Sequence, residues 1–211
     1  MSLGSTVRRM FGRHERAVSD LWRSLFIDLD DLRGHFRQWV PDAERILEIG
    51  CGEGGVTECL AEAFPDAEIL GIDIAETVGR MYRGRRDRVT FRQVTVQDLV
   101  GEKPQRFDMI VMCDVMHHVP LPLRHEILSA ARDMLAPRGH FVFKDWVRTA
   151  TPIHAAAFAA DRWLTGDEVH FMSRAEATEL VAQGFAASTI REEARIKPWR
   201  NNFALVLQAA A

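Results

Sequence analysis

Between residues 45 and 144 short apolar runs alternate with longer amphipathic stretches. Residues 45–49, 68–72, 89–94, 107–113 and 140–144 read as buried strands, each bounded by turn or capping residues. The stretches between them read as helices over 54–64, ended by Pro65, over 75–82, and over 123–135, stopping at Ala136-Pro137-Arg138-Gly139. Strand–helix–strand units of this length predict a parallel sheet with helices on both faces. Two helical stretches, 5–26 and 29–39, precede the first strand; the second stops at Val40-Pro41, because the residue before proline avoids the helical region. They form an N-terminal extension that either layers on the sheet or acts as a lid, with Trp22 and Phe26 as lining candidates. Beyond the last parallel strand comes an alanine-rich helix over 152–164. Ser173-x-x-Glu176 is a capping box opening a helix that ends near Gly184. Strand-like stretches 185–194 and 202–208 then flank a short connection, which predicts a closing antiparallel hairpin. The expected fold is α/β, with seven mostly parallel strands, a C-terminal antiparallel hairpin and no domain boundary within 1–211.

The first strand leads into Glu48-Ile49-Gly50-Cys51-Gly52-Glu53-Gly54-Gly55. Glycines let the backbone take positive φ and let a ligand approach main-chain atoms, and the following helix start suits a carboxylate or phosphate. Gly50-x-Gly52-x-x-Gly55 satisfies the dinucleotide pattern, which alone is weak. Glu48 changes the balance: a carboxylate there suits an ammonium and sits poorly beside a pyrophosphate. S-adenosylmethionine (SAM) carries an ammonium, a sulfonium and a carboxylate, and no phosphate. The residues leave NAD and SAM as the alternatives, tilted toward SAM.

Composition narrows the class. The 211 residues are 47% hydrophobic and 27% charged with a formal net charge of -3, which gives no electrostatic case for nucleic acid or an anionic membrane. No apolar run approaches the roughly 20 residues that span a bilayer, and the basic N-terminal stretch lacks the apolar segment of a secretory signal. Cys51, Cys59 and Cys113 are odd in number and lack zinc-like spacing, so they read as reduced, and the expected location is cytoplasmic. The charge run at 83–88 reads as a solvated loop.

With these motifs in order, the chain resembles the class I SAM-dependent methyltransferases acting on small molecules, over about residues 45–145. The resemblance implies a Rossmann-like fold and SAM as cofactor. By it, Glu48, Gly50, Cys51, Gly52 and Gly54 cradle the methionine end, and Asp73 accepts both ribose hydroxyls. Ile74 packs on adenine, and Gln97, Asp98 and Leu99 lie at its amino edge. Cys113 and Asp114 close the fourth-strand motif. In domain terms, 1–44 is a helical cap, 45–146 the SAM-binding core, 147–172 a substrate-side insertion, and 173–211 the final helix and hairpin. Glu48, Asp73, Asp98 and Asp114 all end consecutive strands, and in an open parallel sheet the ligand crevice lies outside those ends.

Methyl transfer to a hydroxyl also needs a proton acceptor. His117 and His118, just past the fourth strand, are the candidates for a base or an orienting group, and Asp145 at the end of the fifth strand is the candidate to orient a base or bind substrate. His154 and His170 are further candidates on the acceptor side. Trp146, Phe158, Trp163 and Phe171 are candidates for an apolar wall against an aromatic or lipid-like acceptor. A metal-assisted reaction would draw on Asp114 and Asp145, but a third ligand is not evident. The expected activity is O-methylation of a small molecule, with N- or C-methylation or a non-catalytic SAM-binding protein as the alternatives. Secondary metabolism is the expected setting, by analogy of fold.

Overall fold

The computed structural model describes residues 21, 23–102, 106–160 and 169–211. Helix α1 (Leu29–Trp39) opens on Asp28, whose carboxylate accepts the Asp31 N–H at 3.0 Å. After it come β1 (Arg45–Ile49), α2 (Gly55–Ala63), β2 (Glu68–Asp73), β3 (Val89–Gln93), α3 (Val96–Gly101), β4 (Phe107–Cys113), α4 (Arg124–Met134) and β5 (Leu135–Trp146). The chain closes with α5 (Pro152–Ala160), α6 (Arg174–Gly184), β6 (Thr189–Arg195) and β7 (Asn202–Gln208). All seven strands join one sheet in the order β3-β2-β1-β4-β5-β7-β6. Pairing is parallel throughout except that β7 runs antiparallel to both β5 and β6.

The central strands bury both faces, which explains why they read as continuous apolar runs. Leu47, Ile49, Ile110, Met112, Phe141 and Phe143 face one layer, with Leu128, Ala131 and Met134 of α4 and Val181 of α6. Ile46, Met109, Val111 and Val142 face the other, with Leu32, Phe36 and Trp39 of α1 and Leu60 of α2. Among the described residues no helix is long and apolar enough to cross a membrane.

Several elements depart from the expectation. Residues 75–82 form turns, not a helix. Gly79 takes φ 62° there, and its N–H donates to the Gly52 carbonyl at 2.9 Å, folding the segment back onto the glycine loop. Residues 96–101, given no element from the sequence, form a helix, so Asp98 lies on α3 and not at the end of β3; Thr95 caps the helix, its hydroxyl accepting the Asp98 N–H at 3.1 Å. The stretch 136–139 does not separate a helix from a strand. It is absorbed into a twelve-residue β5, with Arg138 in the left-handed region at φ 62° and a register shift opposite β4. Strand β6 starts later than 185, since Phe185 ends α6 and stacks on Phe141 at 4.3 Å between ring centroids. Of the helix expected over 152–164, Pro152–Ala160 is seen; its end, Trp163 included, lies outside the described residues, as do residues 5–20 and Trp22 of the helix expected over 5–26.

Candidate functional site

Because β1, β2, β4 and β5 run parallel, their carboxyl ends come out along one edge of the sheet and bring Glu48, Asp73, Asp114 and Asp145 to it. The glycine loop lies there. Gly50, Gly52 and Gly54 take φ of 76°, 51° and 95°, and the Gly50 and Cys51 N–H groups share the Ile72 carbonyl at 2.8 and 3.0 Å. The three glycines differ in what a side chain would meet. A methyl group on Gly50 would lie 2.3 Å from Val115 Cγ2, and one on Gly54 3.0 Å from Tyr82 Cβ. One on Gly52 would meet nothing within 4 Å, so a ligand can approach this main chain closely.

Asp73 takes the Gly52 N–H on Oδ2 at 2.7 Å and the Ala75 N–H on Oδ1 at 2.9 Å, which fixes its carboxylate at the loop's edge. Ile74 beside it is 75% exposed, an apolar surface next to an acceptor pair. Glu48 lies beneath the loop, only 2% exposed, and accepts the Thr57 hydroxyl at 2.5 Å. Burial pushes its carboxyl up to about 7, partly offset by the Thr57 bond. Asp98 is exposed and accepts the Thr95 hydroxyl at 2.7 Å, while Gln97 donates to Glu126 at 3.3 Å. Leu99 turns into the core. Burial raises the thiols of Cys51 and Cys113, so both stay protonated.

The acceptor side is built on the turn after β4 and on the end of β5. Asp145, 1% exposed, accepts the His117 backbone N–H on Oδ2 at 3.1 Å, meets the His117 ring Nδ1 through Oδ1, and takes the Trp146 N–H at 2.8 Å. Burial alone would raise its carboxyl, but the charge and hydrogen bonds of His117, with Trp146 and Lys144, hold it below the ordinary value. The His117 ring stacks on Phe171 at 4.8 Å and lies 4.2 Å from the His118 ring. Phe171 is reached in turn by His154 and Phe158, at 5.1 and 6.3 Å. The Trp146 indole N–H donates to His154 Nδ1 at 3.1 Å. His170 enters through its backbone: its N–H donates to the His117 carbonyl at 2.8 Å, and its side chain is exposed.

Next to this group Lys144 is 1% exposed and places Nζ 2.5 Å from Asp114 Oδ2. Asp114 is itself in the left-handed region at φ 54°, a backbone state that aspartate tolerates better than most residues. Asp114, His117 and Asp145 could each turn a ligand atom to a common cation, His117 supplying the third donor not evident from sequence. The Lys144 ammonium already neutralises Asp114 there.

Lys144, Thr57 and Arg124 were missed by motif reasoning. Lys144 did leave a signal, a lone charge inside the run 140–146. Arg124 is buried and donates to the carbonyls of Val119 and His170 at 3.0 and 2.9 Å, tying the β4 turn to the segment that carries Phe171.

The donor set fits SAM. Carboxylates stand where an ammonium and ribose hydroxyls need acceptors, Ile74 offers a face to adenine, and Gly52 leaves room for close approach. A pyrophosphate would meet the same carboxylates unfavourably.

Residues 47–141 match the family model described as a methyltransferase domain. A ubiquinone biosynthesis O-methyltransferase of Acinetobacter baumannii (strain AYE) is 31% identical over 105 residues, covering 47% of this chain and 43% of that protein. The matched part of this chain thus spans less than half the length of that relative. Among solved structures, the N,N-8-amino-8-demethyl-D-riboflavin dimethyltransferase RosA of Streptomyces davawensis superposes with TM-score 0.69 at 18% identity, covering 94% of this chain and 58% of that one. Human N-acetylserotonin methyltransferase in complex with SAM gives the same TM-score at 13% identity, covering 97% and 58%. The chain has the fold of these methyltransferase structures, and its residues 47–141 match the model of a methyltransferase domain.

Proposed function

We propose that this protein transfers a methyl group from SAM to a hydroxyl of a small apolar or aromatic molecule, with His117 as the general base and Asp145 orienting it. The observation that carries the reading is the grip of one buried carboxylate on both the backbone and the ring of His117. Bound SAM supplies a methyl group made electrophilic by its sulfonium. Glu48, Asp73, Ile74 and the Gly50–Gly54 loop would hold it. Asp145, kept ionised, directs Nδ1 toward itself, which leaves Nε2 as the ring atom that takes the hydroxyl proton, and its charge favours the imidazolium that results. Phe171, stacked on His117, and the cluster of Trp146, Ala157 and Val169 around it keep water from the proton-transfer site.

Thermal unfolding with S-adenosylhomocysteine tests the cofactor part. At about 100 times Kd, binding adds roughly 2.7 kcal/mol, which for a chain of this size raises Tm by about 5–10 °C; no shift at saturation would remove the cofactor. Methyl transfer from labelled SAM to paired acceptors, a phenol and the matching aniline, tests the oxygen preference. Preferential labelling of the aniline would redirect the reading to N-methylation.

A further inference from the structure

Phe171 brings two histidines to one ring. The His117 imidazole stacks on it at 4.8 Å between centroids, and the His154 imidazole meets it at 5.1 Å in a T-shaped contact. The two imidazole centroids therefore lie no farther apart than these distances added, about 10 Å. His154, the third residue of α5, is half-buried, and its Nδ1 accepts the Trp146 indole N–H at 3.1 Å. An indole nitrogen can only donate, so Nδ1 carries no proton. Burial, with the charge of Arg148 added, holds the imidazole below its ordinary value. A neutral imidazole bare at Nδ1 has its proton on Nε2. The partner that sets this tautomer is itself held: the Trp146 backbone N–H is bound by Asp145 at 2.8 Å, and its ring meets Phe26 at 5.8 Å. Among the described residues none accepts the Nε2 proton of His154. The neighbours here are otherwise apolar, Phe26, Ile153, Ala157, Val169 and Phe171 with the Trp146 ring.

We propose that His154 is a recognition residue for the methyl acceptor, its Nε2–H donating to a carbonyl oxygen of that molecule while the hydroxyl to be methylated lies at His117. This rests on the hydroxyl-acceptor reading above and names the acceptor class more closely, as a hydroxylated aromatic ring that also bears a carbonyl. One aromatic ring with a hydrogen bond of about 2.8 Å at each end bridges the separation that Phe171 imposes. A single fixed donor in an apolar wall selects by what it is offered. A carbonyl satisfies it, an alkyl group leaves it unpaired, and an ammonium brings only further donors.

The test measures methyl transfer from labelled SAM to ortho, meta and para pairs of hydroxyacetophenone and ethylphenol, which differ in the carbonyl oxygen and hardly in shape. Wild type is expected to favour the ketone in at least one pair by about 3- to 10-fold in kcat/KM, the worth of one neutral hydrogen bond. In that pair His154→Leu should bring the ratio near one, the loss falling on KM for the ketone. His154→Gln, whose amide donates from about the position of Nε2, should keep part of the preference. The change between variants, rather than the wild-type ratio alone, removes the effect of the carbonyl on phenol acidity. Melting curves of the ligand-free variants control for folding. No ketone preference in any pair, or a ratio that His154→Leu leaves unchanged, overturns the role of His154 and leaves the hydroxyl reading standing. Failure of wild type to methylate any of these phenols while it binds S-adenosylhomocysteine overturns both.

Discussion

Asp145 holds His117 at two points, the backbone N–H at 3.1 Å and the ring at Nδ1, although one lies at the end of β5 and the other on the turn after β4. A carboxylate that only capped the turn would need just the first contact. The second fixes which ring nitrogen is turned away from it.

Replacing either member should therefore strike turnover and spare cofactor affinity. His117→Ala and Asp145→Asn are expected to lower kcat by about 10²- to 10⁴-fold, the usual worth of a positioned base. The Kd of S-adenosylhomocysteine should move less than about threefold. In Asp145→Asn the amide can no longer favour the imidazolium, so the pH profile of kcat should also change shape. A parallel loss of cofactor affinity in both variants would instead mark the pair as structural.

The Asp114–Lys144 pair makes a different prediction, one about stability. Asp114→Asn keeps a residue suited to φ 54° and removes only the charge. It leaves Lys144 buried without its counter-ion. Breaking a buried pair costs roughly 3–5 kcal/mol; Asp114 is 38% exposed on its side chain, so water reaches it and about 2 kcal/mol is expected. Urea unfolding measures this, and the double variant Asp114→Asn/Lys144→Met should recover part of the loss.

Gly50 couples the cofactor loop to the turn that carries His117. Its Cα faces Val115, two residues before that histidine, and a methyl group would lie 2.3 Å from Val115 Cγ2 in a backbone region unsuited to alanine. Gly50→Ala is expected to destabilise by at least about 2 kcal/mol. Gly52→Ala, with the same sign of φ and nothing within 4 Å, should cost about 1 kcal/mol and act mainly on cofactor affinity. Denaturant midpoints beside cofactor titrations separate the two.

The parallel core was legible because its strands are apolar on both faces and its turns carry glycine and proline: β4 falls on Phe107–Cys113, and α1 on Leu29–Trp39, as the pattern predicts. What was not legible depends on long-range contact. Residues 75–82 have helical composition, but Gly79 is drawn back to the Gly52 carbonyl. Residues 136–139 look like a stop, yet the Arg138 and Ala209 N–H groups pair the β5 bulge with the chain end, on the carbonyls of Ala210 and Gly139. At the site, Glu48, Asp73 and Asp114 could be listed from their strand ends, whereas Asp98, expected with them, lies on α3 past the end of β3. That Glu48 is sunk beneath the loop while Asp73 sits on its edge follows from Thr57 on α2 and from the Gly52 N–H, contacts that no spacing along the chain encodes.

That burial gives Glu48 a pH signature of its own. Its folded carboxyl titrates near 7 against an ordinary 4.5 because burial disfavours the charge. The folded state thus holds this proton more tightly than the unfolded chain. Its contribution to stability is complete below about pH 4.5, declines as the pH rises toward 7, and is lost above it, by about 3 kcal/mol in all. Glu48→Gln, which keeps the Thr57 contact without the charge, should be more stable than wild type at pH 8 by up to that amount and equal to it near pH 4. Cofactor affinity should move the opposite way. An arriving ammonium favours the ionised carboxylate, so wild-type affinity for S-adenosylhomocysteine should fall up to tenfold per unit below pH 7, and Glu48→Gln should bind weakly with no such slope. A variant that is no more stable than wild type at pH 8 would show that the free protein already neutralises Glu48 by another route.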